Sequence, residues 1–304
     1  MPDYHFDRCD AFAVGSLTAL LDHSFNIQNP AKEALVNWKF FAAAHHQSTI
    51  CYAAITADNC IVSQYANVPI ALHGNGNALN GMVCVDMTTH RDHRGKRLIS
   101  QLAERVYADV VAAGFDLSIG FSSEAGIKVD QNATGYGYQV VGRYVRHVYP
   151  LWRPQVTPYT LTPAPSFSEM PDKLLLMPGD PLGIAKTADY LTWRYVEKPC
   201  NDYQIYRLNN VGAFAGYVVI RPSSRGAYIY DLIADFTDFN LIRAAVHNLL
   251  LARHQSTATW YVLDNHFWRR SLRGSVRIPN HFAIVDRAAL LSAENWRMMA
   301  SEIL

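Results

Sequence analysis

Residues Gly81 to Gln101 read GMVCVDMTTHRDHRGKRLISQ. An apolar run, Met82 to Met87, meets a basic, glycine-containing turn, Arg91 to Arg97, and a helical pattern follows directly. A strand that runs into a basic turn and then a helix presents free backbone N–H groups and positive potential at one point. That combination suits a pyrophosphate.

Outward from this point the pattern alternates. Leu98, Leu102, Val106 and Val110 recur every four residues, with Ile99, Ala103 and Val111 beside them, so Arg94 to Ala113 is expected to be an amphipathic helix with one buried face. Gly114 suits its C-terminal cap. Upstream, Ala11 to Leu21 has helical spacing, and Pro30 suits the first turn of a second helix reaching about Phe41. Ile50 to Ala57 and Ile61 to Leu72 read as strands joined at Asp58-Asn59, with a Gly/Asn turn from Gly74 to Gly81. Downstream, Phe115 to Phe121 reads as a strand, Glu124 to Ala133 as a weak helix and Tyr138 to Tyr149 as a long strand. This is a mixed α/β sheet.

Pro150 to Pro181 holds eight prolines and reads as a surface linker. A second α/β pattern then begins: a helix over Tyr190–Val196, strands over Tyr203–Asn209, Ala213–Arg221 and Tyr228–Ala234, and a helix over Phe239–His254 with Leu241, Ala245, Leu249 and Ala252 near one face. A strand over Ala258–Asp264, a short helix over Phe267–Arg273 and a strand over His281–Val285 complete it. The halves correspond. Trp38-Lys39-Phe40 precedes one strand and Trp193-Arg194-Tyr195 another, and Asp86 and Asp231 each end an apolar strand before a helix. An internal duplication follows. After Asp231, LIADFTDFNLIR has two acids and no glycine, so the second copy would repel an anion. The expected division is 1–150, a linker over 151–184, and a degenerate copy over 185–304.

The bulk numbers exclude several classes. Net charge is +1, with no basic excess for general nucleic-acid binding. The five cysteines are scattered and form no CxxC pair, so reduced thiols, no metal site and a cytoplasmic setting are expected. Cys84, near the centre of the sheet, is expected to be buried. His45-His46 has no carboxylate or Cys at ligand spacing. No apolar run approaches the roughly 20 residues of a membrane span, and the charged start MPDYHFDRCD is unlike a signal peptide.

The stretch Thr89-His-Arg-Asp-His-Arg-Gly-Lys-Arg-Leu-Ile resembles the pyrophosphate loop of the GNAT (Gcn5-related) N-acyltransferases. GFDLSIGFSS and GYGYQVVGRY resemble that family's later strands, and WRYVEKPCNDYQIY resembles tandem-GNAT chains acting on amino groups of sugars or cell-wall precursors. The resemblance implies two GNAT-like α/β domains in tandem, acyl-CoA as co-substrate, no metal, and a small-molecule amine as acceptor, first a nucleotide-linked amino sugar. The family signature Gln/Arg-x-x-Gly-x-Gly/Ala falls on Asp92 to Arg97. Gly95 matches, whereas Asp92 and Arg97 depart from it. The tyrosine that many members carry four residues before a later Gly-aromatic pair is absent: Ala133 and Gln131 stand at those spacings, and Tyr136 and Tyr138 lie elsewhere.

The resemblance implies that the N–H groups of residues 94–98 hold the pyrophosphate, with Arg94, Lys96 and Arg97 adding charge around Gly95 and Leu98. Met87, Thr88 and Thr89 would lie along the pantetheine arm, and Ser122 would line the opposite wall. Asp86 either accepts the acceptor's proton or fastens a neighbouring backbone. Trp38 and Trp193 are expected to fill core or interdomain space. Two rival readings are a non-catalytic CoA- or protein-binding module and an aminoacyltransferase using aminoacyl-tRNA. The compact basic loop and near-neutral charge argue against tRNA.

Overall fold

The computed structural model describes residues 3–28, 30–42, 49–74, 77–121, 126, 138–170, 183–224, 226–263 and 276–286. Apart from Gly126, the expected helix 124–133 lies outside these residues, as do the expected helix 267–273, the pair His45-His46, and Ser122.

In the first half, β1 (Tyr4–Arg8) precedes α1 (Val14–Phe25) and α2 (Lys32–Phe40). They are followed by β2 (Ile50–Thr56), β3 (Ile61–Gly74), β4 (Asn77–Thr89), α3 (Leu98–Ala112), β5 (Leu117–Gly120) and β6 (Tyr138–Pro150). The second half has β7 (Tyr159–Pro163), β8 (Gly183–Ile184), α4 (Ala188–Tyr195), β9 (Gln204–Asn210), β10 (Ala213–Pro222), β11 (Gly226–Ala234), α5 (Phe239–Ala252), β12 (Thr257–Leu263) and β13 (Val276–Asp286).

Among the described residues, thirteen strands form one sheet in the order β1-β2-β3-β4-β5-β13-β6-β12-β11-β10-β9-β7, with β8 added to β3. The order is a palindrome in which β1 answers β7, β2 answers β9, and so on inward to β13 and β6. The pairs β4·β5 and β11·β12 are parallel, each crossed by a helix, and β6·β13 at the centre is antiparallel, as a two-fold relation requires. The last strand of each half lies in the other's territory: β6 pairs with β12, and β13 pairs with β5. The two halves therefore share one sheet.

Matching registers support the duplication. The parallel ladders open at Gly81↔Leu117 and Gly226↔Thr257. A Cβ at Gly81 would run into the Leu72 side chain of β3, and one at Gly226 into Thr257, its partner on β12, so a side chain is excluded at the start of both ladders. Asp86 and Asp231 stand equally far along from these glycines. Trp38 and Trp193 are buried and stacked with ring centroids 4.7 Å apart, and each indole N–H donates to the other's backbone carbonyl, at 2.9 and 3.3 Å. They join the halves in a core cluster holding Leu17, Val85, Ile119, Leu191 and Val219. Trp38→Phe keeps an aromatic ring but strips the buried Trp193 carbonyl of its donor. It is expected to cost about 1–3 kcal/mol, read as a lowered denaturant midpoint.

The helix faces show where periodicity was informative. In α3, Leu98, Leu102, Val106 and Val110 pack against Ala54, Tyr65 and Met82 as expected, while Val111 faces out. In α5 the buried stripe is Phe239, Ile242, Val246 and Leu250, and Leu241 is exposed. That helix is apolar on most sides, so its pattern fits several stripes. The expected linker does more than connect: Tyr159–Pro163 is an edge strand on β9, and Phe167 is buried. The Gly/Asn turn is confined to the tip between β3 and β4, whose ladder runs to Gly74↔Asn77.

Candidate functional site

β4 pairs with β5 only from Gly81↔Leu117 to Cys84↔Gly120, yet β4 continues to Thr89. Beyond Cys84, the β4 edge that faced β5 has no described strand beside it, and a cleft opens. On its other side β4 remains tied to β3 through a bulge: Val85 pairs with Ala66 and Thr88 with Gln64. Asp86 sits in this bulge with φ +47°. The Gln64 side-chain amide donates to the Asp86 carbonyl. Ser63 Oγ donates to Thr88 O at 3.0 Å and lies 2.8 Å from Thr89 Oγ1. These bonds hold the bulge from behind and leave the front edge to the cleft.

The basic loop comes next. Arg91–His93 is a 3-10 turn, residues 94–97 turn again, and α3 begins at Leu98, four residues later than expected. The delay has a backbone cause: Arg94 is extended, Gly95 has φ +78° and Arg97 φ +56°. The left-handed state of Arg97 explains why the resembled signature has a small residue there; a non-glycine residue pays about 1–2 kcal/mol for it. The Gln101 N–H bonds Arg97 O at 3.2 Å, which leaves the N–H groups of Leu98, Ile99 and Ser100 without an intrahelical acceptor.

A cavity of about 880 Å³ collects these parts. It is lined by Asp86, Met87, Thr88, Thr89, Arg94, Gly95, Lys96, Arg97 and Leu98, and by Cys84, Ser24, Phe25 and Phe121. Nine of the ten sequence-selected positions thus surround one space, and Ser122 lies outside the described residues. Cys84 departs from its expected burial: it is half-buried on the cavity wall, because the strands part just where it sits.

The loop is braced by contacts not foreseen from sequence. Lys96 Nζ donates to Tyr4 Oη at 2.7 Å, and Tyr4 Oη lies 2.9 Å from His93 Nδ1. His90 stacks on His23 of α1 at 4.1 Å. Arg94 Nε donates to Thr89 O at 3.3 Å. Asp92 faces Arg91 and His90 at 3.7 Å each and does not line the cavity, so this departure from the signature puts no acid in the cleft.

Asp86 also has a partner the sequence did not announce. Lys39 Nζ on α2 lies 2.7 Å from its Oδ2, with the lysine side chain 12% exposed. A second cavity of about 260 Å³ lies between α1, α2 and β4, lined by Leu21, Asn26, Ile27, Leu35, Val36 and Lys39. Phe25 and Asp86 line both cavities. Asp86 therefore stands where a ligand in one would meet a ligand in the other. The usable signal was the repeated Trp-cation-aromatic triplet, Trp38-Lys39-Phe40 and Trp193-Arg194-Tyr195.

The second half keeps the frame and loses the site. Asp231 is fully buried, contacts Lys186 Nζ, accepts from Tyr195 Oη at 3.1 Å, and accepts the Leu232 N–H at 2.9 Å. Ahead of α5 stand Asp235 and Asp238; Asp235 caps Thr237 N at 3.0 Å and Asp238 accepts from Tyr159 Oη at 2.8 Å. Acids occupy the place where the first half offers cations. Among the described residues, no three or more His, Cys, Asp or Glu gather as a metal site, and no helix is long and apolar enough to cross a membrane.

Residues 10–139 match the family model of the acetyltransferase (GNAT) domain. Among solved structures, the chain is similar to a conserved protein of unknown function from Enterococcus faecalis V583, termed a probable N-acyltransferase, with TM-score 0.74 and 14% identity over 93% of this chain and 72% of that one. It is similar to a GCN5-related N-acetyltransferase from Kribbella flavida, with TM-score 0.69 and 13% identity over 93% and 71%. It is also similar to the N-myristoyltransferase of Saccharomyces cerevisiae with bound myristoyl-CoA, with TM-score 0.61 and 10% identity over 94% and 84%. No curated protein matches the sequence. Residues 10–139 thus match a GNAT (Gcn5-related) acetyltransferase domain, and the likeness to these solved structures extends over the fold of nearly the whole chain.

Proposed function

We propose that the protein transfers an acyl group from acyl-CoA to the amine of a small acceptor, with a nucleotide-linked amino sugar as first choice. The supporting observation is the junction at Asp86: a large cleft ending in a cationic loop meets a small pocket between two helices at one carboxylate. The residues fit the co-substrate. The unbonded N–H groups at the start of α3, with Arg94, Lys96 and Arg97 around them, suit a pyrophosphate. The edge of β4 from Met87 to Thr89, beside which no described strand lies, suits the amide-bearing pantetheine arm. One of its N–H groups would polarise the thioester carbonyl as the oxyanion forms, worth roughly 2.7–4 kcal/mol in comparable sites.

The acceptor enters through the smaller pocket and its amine attacks the thioester carbonyl directly, with no covalent enzyme intermediate: the C–N bond forms, the C–S bond breaks, and CoA leaves as a thiolate that takes up a proton from water. The thioester is already activated, so the protein's task is alignment and removal of one proton. Asp86, with Lys39 fixing one oxygen, takes that proton directly or through water. The second half contributes its share of the central sheet and core, and has acids where a second anion loop would stand.

The direct test is a thermal-shift series with acetyl-CoA and longer acyl-CoAs. At 100 times the dissociation constant, a ligand adds about 2.7 kcal/mol of stability. No shift with any CoA thioester removes this reading. Turnover of a shifting thioester, followed with a thiol reagent across an amine panel, then identifies the acceptor.

A further inference from the structure

The cations of the basic loop are unequally matched. Arg91 faces Asp92 at 3.7 Å. Among the described residues, no carboxylate lies within salt-bridge distance of Arg94, Lys96 or Arg97, and all three line the large cleft. A diphosphate diester carries two negative charges, so it leaves one of these cations over.

The side chains on either side of Gly95 also point apart. Arg94 Nε turns back to Thr89 O at 3.3 Å, at the end of β4. Lys96 Nζ turns the other way, to Tyr4 Oη at 2.7 Å. Tyr4 is on β1, three strands from β4 on the side away from β5. The loop therefore offers positive charge at two places, one beside the β4 edge and one beyond it.

The bonding at the outer place fixes which donors remain. Lysine can only donate, so Tyr4 Oη accepts from Lys96, and its own proton goes to His93 Nδ1 at 2.9 Å. The imidazole proton then sits on Nε2. Among the described residues, two N–H groups of Lys96 and the Nε2–H of His93 are left without acceptors, and both residues line the cleft. His90 packs edge-on against His93 at 5.8 Å. The acid that feels His93 is Asp58, whose carboxylate accepts from Cys60 Sγ at 3.6 Å.

We propose that Lys96 and His93, positioned by Tyr4, form a phosphate corner that takes the 3′-phosphate of CoA and makes the protein selective for CoA over its 3′-dephospho form. The assignment rests on the acyl-CoA reading and divides the labour of the loop. The N–H groups at the start of α3, with Arg94 and Arg97, hold the pyrophosphate. Lys96 turns its ammonium to the outer phosphate, a monoester carrying about −1.5 to −2 at pH 7. The ribose spans the two.

The test is titration calorimetry with CoA and 3′-dephospho-CoA. The unaltered protein is expected to bind CoA at least about tenfold tighter, as for one charged hydrogen bond. Lys96→Met should weaken CoA by about tenfold or more and dephospho-CoA by far less, so that the preference collapses. Lys96 is exposed in a loop, and an unchanged far-UV spectrum checks that its replacement leaves the fold alone. Tyr4→Phe removes the oxygen that aligns Lys96 and His93, and should narrow the preference without abolishing binding. Equal affinity for the two ligands overturns the corner while the acyl-CoA reading stands. So does a Lys96→Met protein that loses both ligands equally, since the lysine would then serve the pyrophosphate alone. Binding of neither ligand to the unaltered protein overturns the acyl-CoA reading itself, and the corner with it.

Discussion

Gly95→Glu is expected to abolish CoA binding while the protein stays folded. Gly95 has φ +78°, and nothing lies within 4 Å of where a Cβ would stand. The new side chain therefore meets no steric obstacle, and the left-handed backbone costs about 1–2 kcal/mol. That is small beside a domain stability of roughly 5–15 kcal/mol. The effect on the ligand is large for two reasons. A carboxylate enters between Arg94 and Lys96, in the position proposed for a pyrophosphate, and Gly95 lines the cleft itself. Titration calorimetry should show the CoA dissociation constant raised at least about 100-fold, or 2.7 kcal/mol, with an unchanged far-UV spectrum. Gly95→Ala separates the causes, since it brings the same backbone strain without charge and should lose far less. Retained affinity in Gly95→Glu would place the pyrophosphate elsewhere.

Asp86→Asn is expected to leave CoA affinity intact and to cut kcat/KM for the amine by about 10²–10⁴, the usual range for losing a general base. Asparagine is well chosen because Asp86 lies at φ +47°, a conformation that Asn tolerates better than most residues. The bond from the Gln64 side-chain amide reaches the Asp86 backbone carbonyl and survives the change. Lys39 loses its countercharge, so some stability is lost as well, and Asp86→Asn with Lys39→Met restores neutrality. If proton removal is the role, the double variant remains inactive although its stability recovers. Activity returning with the double variant would make Asp86 a structural partner of Lys39, as Asp231 is of Lys186.

Much of the fold was legible locally. The β4–turn–α3 unit, the Leu98/Leu102/Val106/Val110 stripe and the order of strands follow from short-range sterics and from the period at which apolar side chains recur. The duplication was visible in two tryptophans and two aspartates. Elements with weak periods were not visible: β1 is short, polar and on the sheet edge, and β7 is hidden among prolines. The helix after the basic turn was read four residues early because Arg97 takes a left-handed backbone, which no hydrophobic pattern records.

The sequence by itself determined most of the strands and helices, where a glycine-bearing cationic turn would interrupt them, and that the second half has acids and no glycine in the matching turn. These are properties of neighbours along the chain. The tertiary structure decided what required distant residues to meet. It put β13 beside β5 and β6 beside β12, parted β4 from β5 beyond Cys84, and turned Asp92 out of the cleft. It also set Lys39 on Asp86 and carried Lys198 from the second half to the ring of Trp38. Strand partners and ion pairs are selected by competition among all surfaces that could be buried together, and that competition leaves no period in the sequence.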